Sequence, residues 1–244
     1  MKRSPALWRT EIKQASAPSV PSPPSLTTPL THPVLQLATI EPPNKPRVRS
    51  HVHRAFLTAS AYPSLPLILT TTDVRTPKVT QLTANPVVEA VYWTSRTLEQ
   101  FRVLGRAWVV PAAGYAGPCP AAGGVVYEAL EEEGFDWEAK RVSTFNTLSG
   151  HMRASWCRPV PGMPLTGGEE EATRWPERLP KVGEARDEEE ERNVERALAN
   201  FALLVIEPFE VDYVEFGVQP DRRRKFERDW EGRSVEFRET LVVP

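Results

Sequence analysis

From Val34 onward the chain is a succession of short runs rich in β-branched and apolar residues: VLQLATI, RVRSHVHRAFL, LPLILTTT, VVEAVYWT and QFRVLGRAWVV, each closed by a turn signal. None can bury a core by itself, and their length and spacing predict antiparallel pairing into a barrel or sandwich. Strand signals return in FALLVIEPFEVDYVEFG, RRRKFERDW and SVEFRETLVV, so the C-terminal part closes the same β structure. With 244 residues, 40% of them hydrophobic, the chain supports one substantial core, and two full domains would be cramped. A single domain over 1–244 is expected, mainly β with helices (α+β).

The helical signals are few. Between the third and fourth runs lies one short helix, from Thr76 to about Asn85, stopped by Pro86. Leu7, Trp8 and Ile12 stand at helical spacing and predict a short N-terminal helix. The Pro-rich stretch that follows can form neither helix nor ladder, which makes 16–31 an exposed connector. Residues 111–140 read as a loop and helical insertion, whose PAAGYAGPCPAAGG lacks the Gly-Lys-Ser/Thr of a phosphate loop. A further helix carries Val142, Phe145, Leu148, Met152 and Trp156 as one stripe, read as core or interface. Residues 165–195, with the run DEEEE and few large apolar side chains, read as an acidic, solvated and mobile insertion.

A formal net charge of -2 gives no global pull toward nucleic acid or membrane, so a cationic site must be local. Arg222 to Lys225 form a basic run, but Asp221 and Glu227 flank it and a solvated strand end is the reading. No apolar run approaches the ~20 residues that span a bilayer. Cys119 and Cys157, far apart and in no CxxC pair, fit a reduced, cytoplasmic protein.

The local cationic site is at TTTDVRTPK, residues 70–78. Thr76 is placed as N-cap and Pro77 as the first helical residue. Arg75 and Lys78 then set two cations against the positive end of the helix dipole, which invites an anion such as phosphate. Upstream, KPRVRSHVHR (45–54) adds Lys45, Arg47, Arg49 and Arg54 on a strand that would lie nearby. Arg49 and Arg54, five apart, fall on opposite faces of an ideal strand, so joint contact with one ligand requires a bulge or a strand end. Gln100, at a strand start, offers an amide that both donates and accepts, suited to a heterocycle edge. His51 and His53 have metal-ligand spacing, but no third ligand is apparent and no metal is expected.

The segments RSHVHR (49–54), TTTDVRTPK (70–78), NPVVEAVYW (85–93), EQFRVLG (99–105), LSGHMRASW and RPVPG (148–162) occur in an order and spacing that resemble the pyridoxamine 5'-phosphate oxidase-like FMN-binding split-barrel family, closest to a subgroup defined by its FMN-binding domain. The resemblance implies an antiparallel split β-barrel binding FMN at a homodimer interface. It implies that Arg49 and Arg54 lie near the flavin phosphate and ring, with Ser50, His51 and Val52 lining the isoalloxazine. Thr71 and Thr72 match strand-end contacts; Arg75, Thr76 and Lys78 the phosphate clamp; Gln100 the ring-contacting amide. Where the oxidase proper has Ser-Arg-Lys, this chain has Thr76-Pro77-Lys78, with its arginine displaced to Arg75.

The oxidase's C-terminal Arg-x-His-x-Arg is also missing: GVQPDRRRK (217–225) has no histidine, and only Arg223 matches the last arginine. The implied function is an FMN-dependent oxidoreductase acting on a small molecule, with a B6 phosphate as one candidate. The alternative is a non-catalytic flavin-binding or protein-interaction role on the same barrel. No catalytic triad can be assembled from the spacing, and a flavoprotein requires none.

Overall fold

In the computed structural model the described residues are 33–228 and 236–244. The expected N-terminal helix and the 16–31 connector lie outside them. Among the described residues the apolar runs become nine strands of one antiparallel sheet: β1 (Val34–Glu41), β2 (Lys45–Val52), β3 (Ala55–Leu57), β4 (Leu67–Asp73), β5 (Val87–Thr94), β6 (Glu99–Val110), β7 (Phe201–Glu215), β8 (Arg222–Glu227) and β9 (Arg238–Val242). The spatial order is β2-β1-β5-β6-β7-β4-β3, with β8 on β7 and β9 on β8.

The two ends of that order, β2 and β3, are consecutive in the chain. Only His53 and Arg54 separate them, and there the backbone changes partner. His53 N–H donates to Pro33 O at 2.9 Å, while Arg54 N–H donates to Leu69 O at 2.7 Å. The sheet therefore curls round on itself through the covalent chain, with no ladder joining β2 to β4. Side chains bridge the gap: Thr70 Oγ1, on β4, donates to Val52 O at 2.9 Å. This is a barrel with a split.

Six helices complete the described residues: α1 (Pro77–Ala84), α2 (Val125–Glu132), α3 (Trp137–Thr147), α4 (Gly150–Ser155), α5 (Gly168–Ala172) and α6 (Glu188–Asn200). All but α1 lie between β6 and β7, and they cover β7, which is why its FALLVIEPF is buried without alternation. Phe201 packs edge-on against Phe145 and Trp156, with ring centroids 5.2 and 5.0 Å away. Buried Arg141 donates to Leu198 O and Phe201 O at 2.6 and 2.9 Å, satisfying a carbonyl that the end of α6 leaves without a helical partner.

One expectation changes here. The stripe from Val142 to Trp156 is not one helix: the first ends at Leu148, and Ser149 starts another, its hydroxyl accepting from Met152 N. The acidic run opens a helix. Asp187 caps α6 by accepting from Glu190 N, and Glu188 to Glu191 fill its first turn, where the helix dipole favours negative charge.

The longest pairing, β6 with β7, shifts register at Leu104/Gly105. Pro208, which has no N–H to donate, sits opposite Gly105 at that irregularity. A Cβ at residue 105 would lie 2.6 Å from Glu207 O, so only glycine lets the two backbones meet. Gly105→Ala is expected to destabilise the fold by about 1–3 kcal/mol. Urea unfolding would test this, and an unchanged midpoint would show that the two strands can part at no cost.

Candidate functional site

The parity problem posed by Arg49 and Arg54 is resolved by the strand end. Because β2 stops at Val52 and the chain turns to β4, both arginines line one cleft of about 340 Å³ at the split. Eight of the residues singled out in the sequence meet there: Arg49, Ser50, His51, Val52 and Arg54 from the β2 side, and Thr71, Thr72 and Lys78 from β4 and α1. The opposite wall comes from the helical insertion, through Met152, Ser155, Trp156 and Pro161. Sequence reasoning missed that wall, since Met152 and Trp156 carry an ordinary core stripe.

Four expected residues lie elsewhere in the single chain. Arg75 turns from the cleft: Nε and Nη2 donate to Asp73 Oδ1 and Oδ2 at 3.0 and 2.7 Å, and Nη1 donates to Arg158 O at 2.8 Å. Its anion is internal to the chain. Thr76 occupies the N-cap position, but its hydroxyl donates to Asp73 O at 2.8 Å and caps no helical N–H. Gln100 sits on β6 opposite Trp93 and Val214, on the face away from the core, since its neighbour Phe101 is fully buried. Arg223 pairs through Nε and Nη2 with Asp212 at 2.9 and 2.7 Å. Asp212 also accepts from Arg102.

What remains in the cleft is net positive: Asp73 also lines it, but Arg75 engages its carboxylate. Lys78 is 9% exposed, and its Nζ donates to Thr72 Oγ1 at 2.6 Å. Burial, then the charge of Arg49, push the ammonium down to about 8 against the pull of Asp73, whose carboxylate is engaged by Arg75. Arg49 donates only to neutral oxygens, and burial followed by Arg47 lowers its pKa as well. Its carboxylate-free surroundings leave the charge available.

His51 responds to the same field. Burial, then Lys78 and Arg49, push its imidazole down to about 3, so it is neutral at physiological pH. Its Nδ1 lies 3.2 Å from Thr70 Oγ1, whose proton goes to Val52 O. His53 turns to Tyr92 Oη at 2.9 Å instead, so the two rings of the HxH pair have different partners. Arg54 stands apart, with Nη2 3.2 Å from Met152 Sδ and its buried Nε without a hydrogen-bond partner. A second cleft, of about 420 Å³ beside Leu98, Glu215 and Gly217, has charges engaged locally: Glu99 accepts from Tyr213 Oη at 2.6 Å and Glu215 from Arg224 at 2.9 Å.

Residues 5–111 match the family model described as pyridoxamine 5'-phosphate oxidase, FMN-binding domain. A pyridoxamine 5'-phosphate oxidase-related, FMN-binding protein from Nostoc punctiforme PCC 73102 superposes with a TM-score of 0.65 at 21% identity, covering 100% of both chains. PhzG from Burkholderia lata 383, in complex with tetrahydrophenazine-1-carboxylic acid, gives 0.52 at 16% identity, covering 98% of this chain and 89% of its own. These likenesses establish the split-barrel fold. No curated protein matches the chain in sequence.

The buried ammonium of Lys78 makes a stability prediction for the ligand-free protein. Its folded pKa of about 8 lies below the ordinary lysine value of 10.5, so folding expels a proton between those pH values and stability rises with pH there. Lys78→Met removes the penalty, and should be more stable than wild type by about 1–3 kcal/mol at pH 7, with the difference shrinking from pH 8 to 10. Urea unfolding of both proteins across that range checks it. A constant difference would show that Lys78 is not strained.

Proposed function

We propose, from the match of residues 5–111 to the pyridoxamine 5'-phosphate oxidase FMN-binding domain and from the cleft at the barrel split, that the chain is an FMN-dependent oxidoreductase holding its cofactor there. The observation that carries this reading is buried Lys78 and half-buried Arg49 beside the first turn of α1, neither of them hydrogen-bonded to a carboxylate, while Asp73 is engaged by Arg75. A phosphate there would compensate both cations and the positive end of the helix. Such a site costs stability when empty, and the residues present fit the group.

In this reading Lys78 and Arg49, at the positive end of α1, bind the phosphate, with the Thr71 and Thr72 hydroxyls beside it. The Ser50 to Val52 backbone would run along the flavin ring, where neutral His51 adds no charge. Bound isoalloxazine supplies the electron chemistry, and the chain supplies position and field. Arg54, about 16 Å along an extended chain from Arg49, brings a second cation that suits the anionic group of a small substrate such as a B6 phosphate. Its unpartnered Nε supports that role. Trp156 and Pro161 close the far wall and exclude water.

A homodimer completes the proposal. Trp93, Gln100, Val214 and Arg223 occupy one row across β5 to β8 on the outer face. Trp93 is 52% exposed and Val48, on β2, 67%. A second copy covering this face would bring Gln100 and Arg223 toward the partner's cleft, which accounts for their distance from their own. Both cysteines are free, and among the described residues no helix is long and apolar enough to cross a membrane. We assign the protein to the cytoplasm.

The visible spectrum of the purified protein should show flavin bands, with FMN as the released chromophore. Lys78→Ala should weaken FMN binding about 10- to 100-fold, the worth of one charge-assisted hydrogen bond. Wild-type affinity should fall as pH rises through about 8, where Lys78 loses its proton. No flavin, and no uptake of added FMN, would overturn the reading. Turnover with pyridoxamine or pyridoxine phosphate would establish the oxidase class, and flavin retained without turnover of any substrate would favour a binding role.

A further inference from the structure

Two buried polar side chains that do not line the cleft converge on the Arg49 guanidinium. Thr39, on β1, is 1% exposed, and Gln81, on α1, is 5% exposed. Arg49 Nη1 donates to Thr39 Oγ1 at 2.6 Å and Nη2 to Gln81 Oε1 at 3.0 Å. The Thr39 hydroxyl in turn donates to the same Gln81 Oε1, at 2.6 Å. The three groups form a closed triangle, so the direction of each bond is fixed. Gln81 must present its oxygen to the arginine, which sends Nε2 toward Glu41 Oε2, 3.5 Å away.

We propose that Thr39 and Gln81 are positioning residues that hold the Arg49 guanidinium in its phosphate-binding pose, an inference that rests on the FMN reading above. A free arginine side chain has large rotamer freedom, much of which is lost when it engages a ligand. Fixing the side chain in the folded protein moves that cost from binding to folding. The acceptors must be neutral for this to work. Arg75, two residues from Asp73, shows the other outcome: a carboxylate fixes the guanidinium but cancels its charge. The nearest carboxylate to the triangle, Glu41, is held by Arg47 at 2.6 Å instead.

The test is equilibrium binding of FMN and of riboflavin to ligand-free protein, because riboflavin shares the ring system and lacks the phosphate. Thr39→Val and Gln81→Met should weaken FMN about 5- to 30-fold and leave riboflavin within about twofold. Gln81→Glu should also weaken FMN, since the new carboxylate would hold Arg49 yet neutralise it. In an Arg49→Met background Thr39→Val should have no further effect on FMN. Equal losses for FMN and riboflavin, or additive losses with Arg49→Met, would reduce Thr39 and Gln81 to structural residues and overturn the proposal. If wild type takes up no FMN, or Lys78→Ala binds it as well as wild type, the FMN reading fails and this inference with it.

Discussion

The structure depends on a change of hydrogen-bond partner at two consecutive residues. His53 and Arg54 send their amides to opposite sides, one to the loop before β1 and one to β4, and so join the two ends of the sheet without a ladder between them. A continuous ladder at this point would fill the split with backbone. Left open, it must be bridged by side chains, and the polar groups of Thr70 and His51 do so. The same break abolishes the strand parity that would otherwise separate Arg49 from Arg54. Cleft, charge and fold closure thus share one cause.

Charge in the cleft is sorted by how each cation is satisfied. Arg75 is paired with Asp73 and with main-chain carbonyls of the insertion, which makes it a fastener. Arg49 is oriented by neutral oxygens, and Lys78 by a single hydroxyl. Burial makes the last two costly to charge, and their proximity adds to the cost, as the low Lys78 pKa and the neutral His51 both record. Among the described residues the one carboxylate of the cleft lining, Asp73, is bonded to Arg75 and leaves both without a carboxylate hydrogen bond. On the proposed reading, that strain is relieved by an anion from outside.

The architecture was largely legible, because β-branched runs between turn signals encode pairing through local pattern. The cationic helix start was legible for the same reason, since Arg75, Thr76 and Lys78 are close in sequence. Their separate fates were not. Whether Arg75 faces a ligand or Asp73 depends on carbonyls of residues 156 and 158, some eighty positions away. Thr39 and Gln81 gave no signal, since a threonine on a strand and a glutamine on a helix are unremarkable until the fold sets them 2.6 Å apart. The helix that opens at the DEEEE run was not legible from composition alone: Asp187 turns surplus negative charge into a helix start.

The helical insertion is part of the site rather than an ornament upon it. The Trp156 carbonyl accepts from Arg75 Nη2 at 3.2 Å and from Asn200 Nδ2 at 2.8 Å, and its indole N–H donates to Thr72 O at 3.2 Å. One residue of the far wall is thereby tied to the end of β4, to the start of the α1 region and to the end of α6. Thr72 is held from two directions, since its hydroxyl also accepts from Lys78. A shift of the insertion would then move the strand end on which the ammonium rests. The barrel supplies the cations and the Trp156 tether fixes the opposite wall, so on the proposed reading the shape of that wall, more than the barrel, would set which small molecules fit.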